Sequence, residues 1–310
     1  METNSEHVIA AAQQSWGHFR PLFTERPVRL SIGVTKSCGN ERPIAPVVRS
    51  RRHLLSTVAG SDDFACCDLR EGFGFAWLNC NTAADHAHLR YYYLEALVYS
   101  MLQSLYLTPL HAACVARDGR GLLLCGESEA GKSTLAYACA RSGFTYISDD
   151  ATYLIRSSDQ NKVIGNPHLV RLREPARELF SELSACPITL RAQGDRAMEL
   201  ATADFRDLVT ASHASIDYIV FLNRQCSGPP ELIRLPRQRV LHWFEKPLCL
   251  GDSEIQQAQT NSLRRLLSCV VFEFRYSDLA CAVTALESLL SSPPPFRAAR
   301  VRSTGYQGNA

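Results

Sequence analysis

Apolar and polar positions along this chain follow two periods, and the places where one gives way to the other mark out its elements. "VRLSIGV" (28–34) alternates as a strand should, and "FACCDL" and "GFGFAWLN" (64–79) are two short apolar runs joined by a glycine-containing turn. Over 83–106 the period lengthens: Leu94, Leu97, Val98, Met101, Leu102 and Leu105 recur at three- and four-residue spacing, one buried face of a long helix. Thr82 and Asp85 have the spacing of a capping box at its start. Residues 35–60 are rich in turn formers and basic side chains, and "RSRR" (49–52) reads as a solvated loop.

From Leu110 onward apolar runs of strand length dominate. "LHAACVA" and "GLLLCG" flank "RDGR", and Asp118-Gly119 predicts a tight hairpin turn. "KSTLAYACARSG" predicts a helix ending at Gly143, "FTYISDDATYLI" a returning strand, and "NKVIGNPHLVRL" one or two short strands more. "EPARELFSEL" (174–183) reads as a helix with Pro175 in its first turn. "IDYIVFLNR" (216–224) is apolar enough to need cover on both faces. A helix near 254–268, a strand at "VVFEFRY" and a helix over 279–290 capped by Asp278 complete the order. This mixture predicts an α/β fold: an N-terminal β-plus-helix region over 1–107, a core over 108–292, and a disordered tail over 293–310.

Composition narrows the function classes. With 33 basic and 31 acidic residues in 310 the net charge is +2, which gives no case for a nucleic-acid partner. No apolar run is long enough to span a bilayer, so no membrane association is expected. "METNSEHVIAAAQQ" lacks the basic and apolar regions of a secretory signal, so a cytoplasmic location is expected. None of the twelve cysteines forms a C-x-x-C pair, and most lie in apolar runs where a thiol packs as a small hydrophobe. "DHAH" and "HAAC" are too sparse for a metal site.

The chemistry gathers in "HAACVARDGRGLLLCGESEAGKSTLAYACARSGFTYISDD" (111–150). Gly126, Glu127, Ser128, Glu129, Ala130, Gly131, Lys132 and Ser133 match G-x-x-x-x-G-K-[ST] in full, followed by Thr134, with a strand before and a helix after. Such a loop turns backbone N–H groups toward a β-phosphate, sends its lysine to the β- and γ-phosphates, and offers its serine hydroxyl to Mg²⁺. Glu127 and Glu129 place carboxylates in a loop built for polyanions, which should weaken nucleotide affinity unless they point outward or are compensated. Asp149 and Asp150 end the following strand, close to that loop. As neighbours on a strand they should face opposite ways, one toward a metal and the other toward the proton of an attacking hydroxyl. His111 opens the strand that pairs with the one entering the loop, so the hairpin sets its place relative to the loop.

His111, the loop Gly126–Ser133 and the Asp149-Asp150 strand end together resemble the HPr serine kinase/phosphorylase C-terminal domain, structurally akin to phosphoenolpyruvate carboxykinase. The likeness is closest over 108–156 and looser in element order to about 290. It implies a P-loop kinase core with a mixed sheet, ATP and Mg²⁺ as cofactors, and transfer to a serine of a protein or peptide. In that reading Asp150 is the base, Lys132 stabilises the transferring group, Ser133 binds Mg²⁺ and His111 lines the site, which leaves Asp149 as the aspartate of the pair expected to face the metal. The chain departs from the family at Glu127 and Glu129, where aspartate and glycine are usual. It also lacks the Arg-Gly signature, with "NPHLVRLREPARELF" in its place, and the Pro-Gly-Arg stretch linked to phosphorylase activity. Neither phosphorylase activity nor recognition of HPr itself is therefore implied, and the expected acceptor is a serine of a protein or small peptide. A small-metabolite kinase and a non-catalytic nucleotide-binding module stay open, as does a homo-oligomer.

Overall fold

The computed structural model describes residues 1–20, 23–36, 42–192, 194, 196–245 and 252–292; the tail expected over 293–310 lies outside them. It is a mixed α/β structure with mixed sheets. The first sheet has six strands: β1 (Glu2–Thr3), β2 (Arg29–Val34), β3 (Val47–Arg51), β4 (Leu54–Ala59), β5 (Asp63–Asp68) and β6 (Phe73–Leu78). Their order is β1-β2-β6-β5-β4-β3. "RSRR" is thus no loop: Arg49 to Arg51 belong to β3, paired with β4, and Arg52 makes the turn at φ 55°. The composition of 35–60 hid two strands, β3 and β4, of which β3 has few apolar residues and stands last in the sheet.

One face of this sheet packs on α1 (Glu6–Trp16) and on the helical stretch that follows β6. That stretch is not one helix from 83. It comprises α2 (Cys80–Ala84), α3 (His86–Leu89), a π turn over Arg90–Glu95 and α4 (Ala96–Leu105). Tyr93, Leu94, Leu97 and Met101 are fully buried on it, as the periodicity requires. The capping box is replaced by two separate caps: Asn79 accepts from the Thr82 N–H, and Asp85 from the His88 N–H. The Thr82 hydroxyl instead donates to buried Asp63, which also accepts from the Asn79 N–H, tying the sheet to the helix start. Cys80 is disulfide-bonded, whereas Cys67, Cys114, Cys125, Cys139 and Cys269 are buried free thiols.

The second sheet begins with the predicted hairpin, β7 (Leu107–Arg117) and β8 (Arg120–Cys125), joined by Asp118 at φ 51° and Gly119 at φ 75°. Both central residues are left-handed, as a type I′ turn requires. After α5 (Lys132–Arg141), "FTYISDDATYLI" forms two strands, β9 (Thr145–Ser148) and β10 (Ala151–Ile155), both antiparallel to β7. The expected single strand is interrupted at Asp149-Asp150. Next come β11 (Lys162–Ile164), β12 (Leu169–Leu172) and α6 (Ala176–Leu179). The helix expected over 174–183 is thereby cut to one turn plus a 3₁₀ turn at Ser181–Leu183.

Then follow β13 (Thr189–Leu190), β14 (Arg196–Ala201), β15 (His213–Arg224), β16 (Glu231–Arg234), α7 (Arg237–Glu245), α8 (Ser253–Leu266), β17 (Val270–Tyr276) and α9 (Leu279–Ser291). β12, β14 and β13 form a small sheet of their own. In the large sheet β8, β15 and β17 run parallel, while β7 and β10 are antiparallel additions. The strand that enters the glycine-rich loop therefore has a hairpin partner on one side and a parallel neighbour on the other. β15 is covered on both faces, as its composition predicts. Tyr218 and Val220 lie with α5 and α9, and Ile216 and Ile219 with α7 and α8.

Candidate functional site

β8 delivers the chain to Gly126 at φ 152°, where an added Cβ would come within 2.8 Å of the Ala130 Cβ. The loop closes at Gly131, φ 90°, which caps α5 with no side-chain hydrogen bond. The first-turn N–H groups of α5 therefore meet no capping side chain and stay open to an acceptor in the loop. Ala130 packs against the core, Glu127, Ser128 and Glu129 are exposed, and Ser133 and Thr134 are half-buried at the helix start. These residues fit a bound phosphate: a glycine at each turn, an uncapped helix, and a lysine beside it.

That lysine is buried. Lys132 Nζ donates to the carbonyls of Gly126 (2.9 Å) and Glu127 (3.1 Å) and lies 3.2 Å from His111 Nε2. An ammonium only donates, so Nε2 must accept and the ring proton sits on Nδ1. His111 Nδ1 is in turn 3.0 Å from Asp150 Oδ1. The hairpin register produces this chain of contacts: Ala112 pairs with Cys125, and His111 pairs with Ala151, next to Asp150. Burial lowers the Lys132 pKa against the opposing pull of Asp150. For Asp150 burial acts to raise the pKa, but the hydrogen bond from His111, with the charge of Lys132, outweighs it and holds the carboxyl below its ordinary value. Both His111 and Asp150 keep about half their side-chain surface exposed, at 47% and 56%, so the carboxylate is open to solvent.

The neighbouring aspartates do face different ways. Asp149 is buried, and its Oδ2 accepts the Arg171 N–H of β12 at 2.6 Å. Burial raises its pKa to about 6, with Arg171 opposing. The Ser133 hydroxyl lies 3.5 Å from the Asp149 carbonyl oxygen. Ser133 and Asp149 are thus adjacent, though the Asp149 carboxylate already serves a backbone amide. No group of three or more metal-ligating side chains occurs among the described residues.

Two arginines of the β12 segment belong to this region and were not singled out in the sequence. Arg171 is ion-paired with Glu199 at 2.8 Å. Arg173 pairs with Glu129, and its charge adds to the lowering of the Lys132 pKa. The signal was there, since "RLR" on a strand puts two arginines on one face. Only the strand's position relative to the loop gives them meaning. Glu129, the residue out of keeping with a polyanion loop, is exposed at φ 68° and compensated by Arg173.

No protein-family model matches the chain, and no curated protein matches it. Among the described residues no helix is long and apolar enough to cross a membrane. Of solved structures, the Hpr(Ser) kinase/phosphatase from Coxiella burnetii superposes with a TM-score of 0.31 and 14% identity, covering 58% of this chain and 96% of that one. A superposition at that level carries no argument, so the functional reading has to come from the side chains around Lys132 and Asp150.

Proposed function

We propose that the chain is an ATP- and Mg²⁺-dependent phosphotransferase whose acceptor is a hydroxyl, most simply a serine of a protein or peptide, built on a P-loop core of the HPr-kinase type over 108–292. The observation that carries this is the continuous contact from Lys132 through His111 to Asp150. It links a group suited to a phosphoryl oxygen with a carboxylate open to an acceptor.

In this reading the loop N–H groups and Lys132 hold the β- and γ-phosphates, and Ser133 and Asp149 hold Mg²⁺, which offsets phosphate charge. Asp150, oriented by the His111 Nδ1–H, takes the proton from the acceptor hydroxyl. The hydroxyl oxygen forms a bond to the γ-phosphorus as the bond to the β–γ bridging oxygen breaks, and ADP leaves. Low Asp150 basicity suits an acceptor whose proton leaves late, in a loose transfer. Residues 1–107 form a separate unit that packs on this core.

A non-catalytic nucleotide-binding module is the second reading, favoured by the Glu129–Arg173 pair, which sets a carboxylate into the loop and engages the arginine beside it. The test is incubation of the purified protein with γ-labelled ATP, Mg²⁺ and lysate of its source organism, beside an Asp150→Asn control. A labelled protein or peptide that vanishes with the control is expected. Label in a small molecule would make it a metabolite kinase, and binding without any transfer would leave only the module.

A further inference from the structure

The outer face of the first sheet carries an apolar surface that the chemistry at Asp150 does not use. Val58, Phe64 and Trp77 stand side by side in one cross-strand row. Phe75 and Phe73 follow at every second position along β6, and Leu54 closes the far corner. All six are between 40% and 49% exposed. Phe64 and Phe75 meet edge to face at 5.7 Å. Trp77 lies over Gly33, where any Cβ would come 2.4 Å from its ring. With aromatic side chains of about 150–250 Å² each, this patch leaves on the order of 500 Å² of apolar surface in water, at the upper end for the largest patch on a monomer.

The sequence of β6 sharpens the point. In "FGFAWL" the bulky residues Phe73, Phe75 and Trp77 point outward, while Gly74 and Ala76 face the helices. A sheet with one wet face alternates apolar-in with polar-out, whereas a strand apolar at every position is covered on both sides. Among the described residues the helical layer covers only one.

We propose that a second copy of this chain covers the other, the two β1–β6 sheets stacking face to face in a homodimer. A flat apolar sheet face is completed by another about 10 Å away, and the same face in a second copy supplies one through a closed two-fold contact. The apolar centre plus its polar rim approaches the ~800 Å² per partner of a standard interface. The rim decides between a second copy and an acidic partner. Arg29, Arg49 and Arg51 lie on this face, in register with Phe73, Ser56 and Leu54, and Glu2 and Asp68 share it, in register with Ser31 and with Phe73 and Leu54. Three arginines against two carboxylates leave the rim net positive, so two copies repel at long range and the dimer tightens as salt screens that charge. An acidic partner would bind more weakly in salt.

The test is sedimentation velocity of the full chain from about 1 to 100 µM at low and high NaCl, for the wild type, Phe75→Lys and Trp77→Glu. Circular dichroism melts show which variants fold. The expected result is a wild-type dimer that tightens with salt, with self-association weakened at least tenfold in each folded variant. Because Trp77 rests on Gly33, Phe75→Lys is the variant to judge by should Trp77→Glu melt early. A wild type monomeric throughout, or a folded Phe75→Lys protein that dimerises like wild type, would overturn the proposal. The first outcome would leave an acidic partner or an undescribed segment of the chain as the cover.

Discussion

At the scale of single residues the site is set by charges placed at different depths. Asp149 is held at a pKa of about 6 by burial, above the ordinary 3.8. The folded state therefore binds a proton that the unfolded chain has already released between about pH 4 and 6, so this group's contribution to stability falls as pH rises through that window. Asp149→Asn keeps an oxygen for the Arg171 N–H and removes the buried charge. Its stability relative to wild type should climb between pH 4 and 6 and level off above, by at most about 3 kcal/mol. Urea melts at several pH values without Mg²⁺ measure this, and a difference that stays flat with pH would refute it. Asp150, one residue on, has the opposite shift because His111 and Lys132 stabilise its charge. The sequence could say that the two aspartates differ, from strand alternation alone. It could not say which is buried, because that depends on Arg171 arriving from β12.

At the scale of elements, the hairpin, the loop and its helix were legible because Asp118-Gly119, the paired glycines and Gly143 each demand a backbone that few residues allow. The long helix over 83–106 was legible as an apolar face but not in its breaks. Those arise from Asn79 and Asp85 capping successive turns, which apolar periodicity does not register. β3 was missed because an edge strand bearing arginines has the composition of a loop. The element-level consequence concerns Glu129, which fixes the loop to the β12 segment through Arg173 from a left-handed backbone position. Glu129→Gly relieves the strained φ, removes a carboxylate from the proposed phosphate site and frees Arg173. Nucleotide should bind several-fold tighter, roughly 1 kcal/mol. Equal or weaker binding by calorimetry would mean that the pair is part of the binding conformation.

At the scale of the whole molecule, the two sheets are joined through α4 and its neighbours. Arg156, at the end of β10, donates to the carbonyls of Gln103 (2.7 Å) and Leu107 (2.9 Å) and also to that of Ser104, satisfying the last turn of α4. Burial lowers its pKa to about 10, so it stays charged at neutral pH. The Thr108 and Ser262 hydroxyls, 2.7 Å apart, add a buried contact between β7 and α8. Arg156→Met strips three charge-assisted hydrogen bonds and should cost roughly 2–4 kcal/mol, read as a lower urea midpoint. A loss under about 0.5 kcal/mol would show that the junction is held elsewhere. None of this was visible in sequence, where Arg156 is one basic residue beyond a strand.

The central claim is that Asp150 serves transfer while the glycine-rich loop serves binding. The measurement that tests it most directly pairs two readouts on wild type and Asp150→Asn: ATP affinity with Mg²⁺, and the rate of γ-phosphoryl transfer to the acceptor found by labelling. The account predicts affinity within about threefold of wild type and transfer slowed at least a hundredfold. Transfer at the wild-type rate, or a wild type that binds no nucleotide, would contradict it.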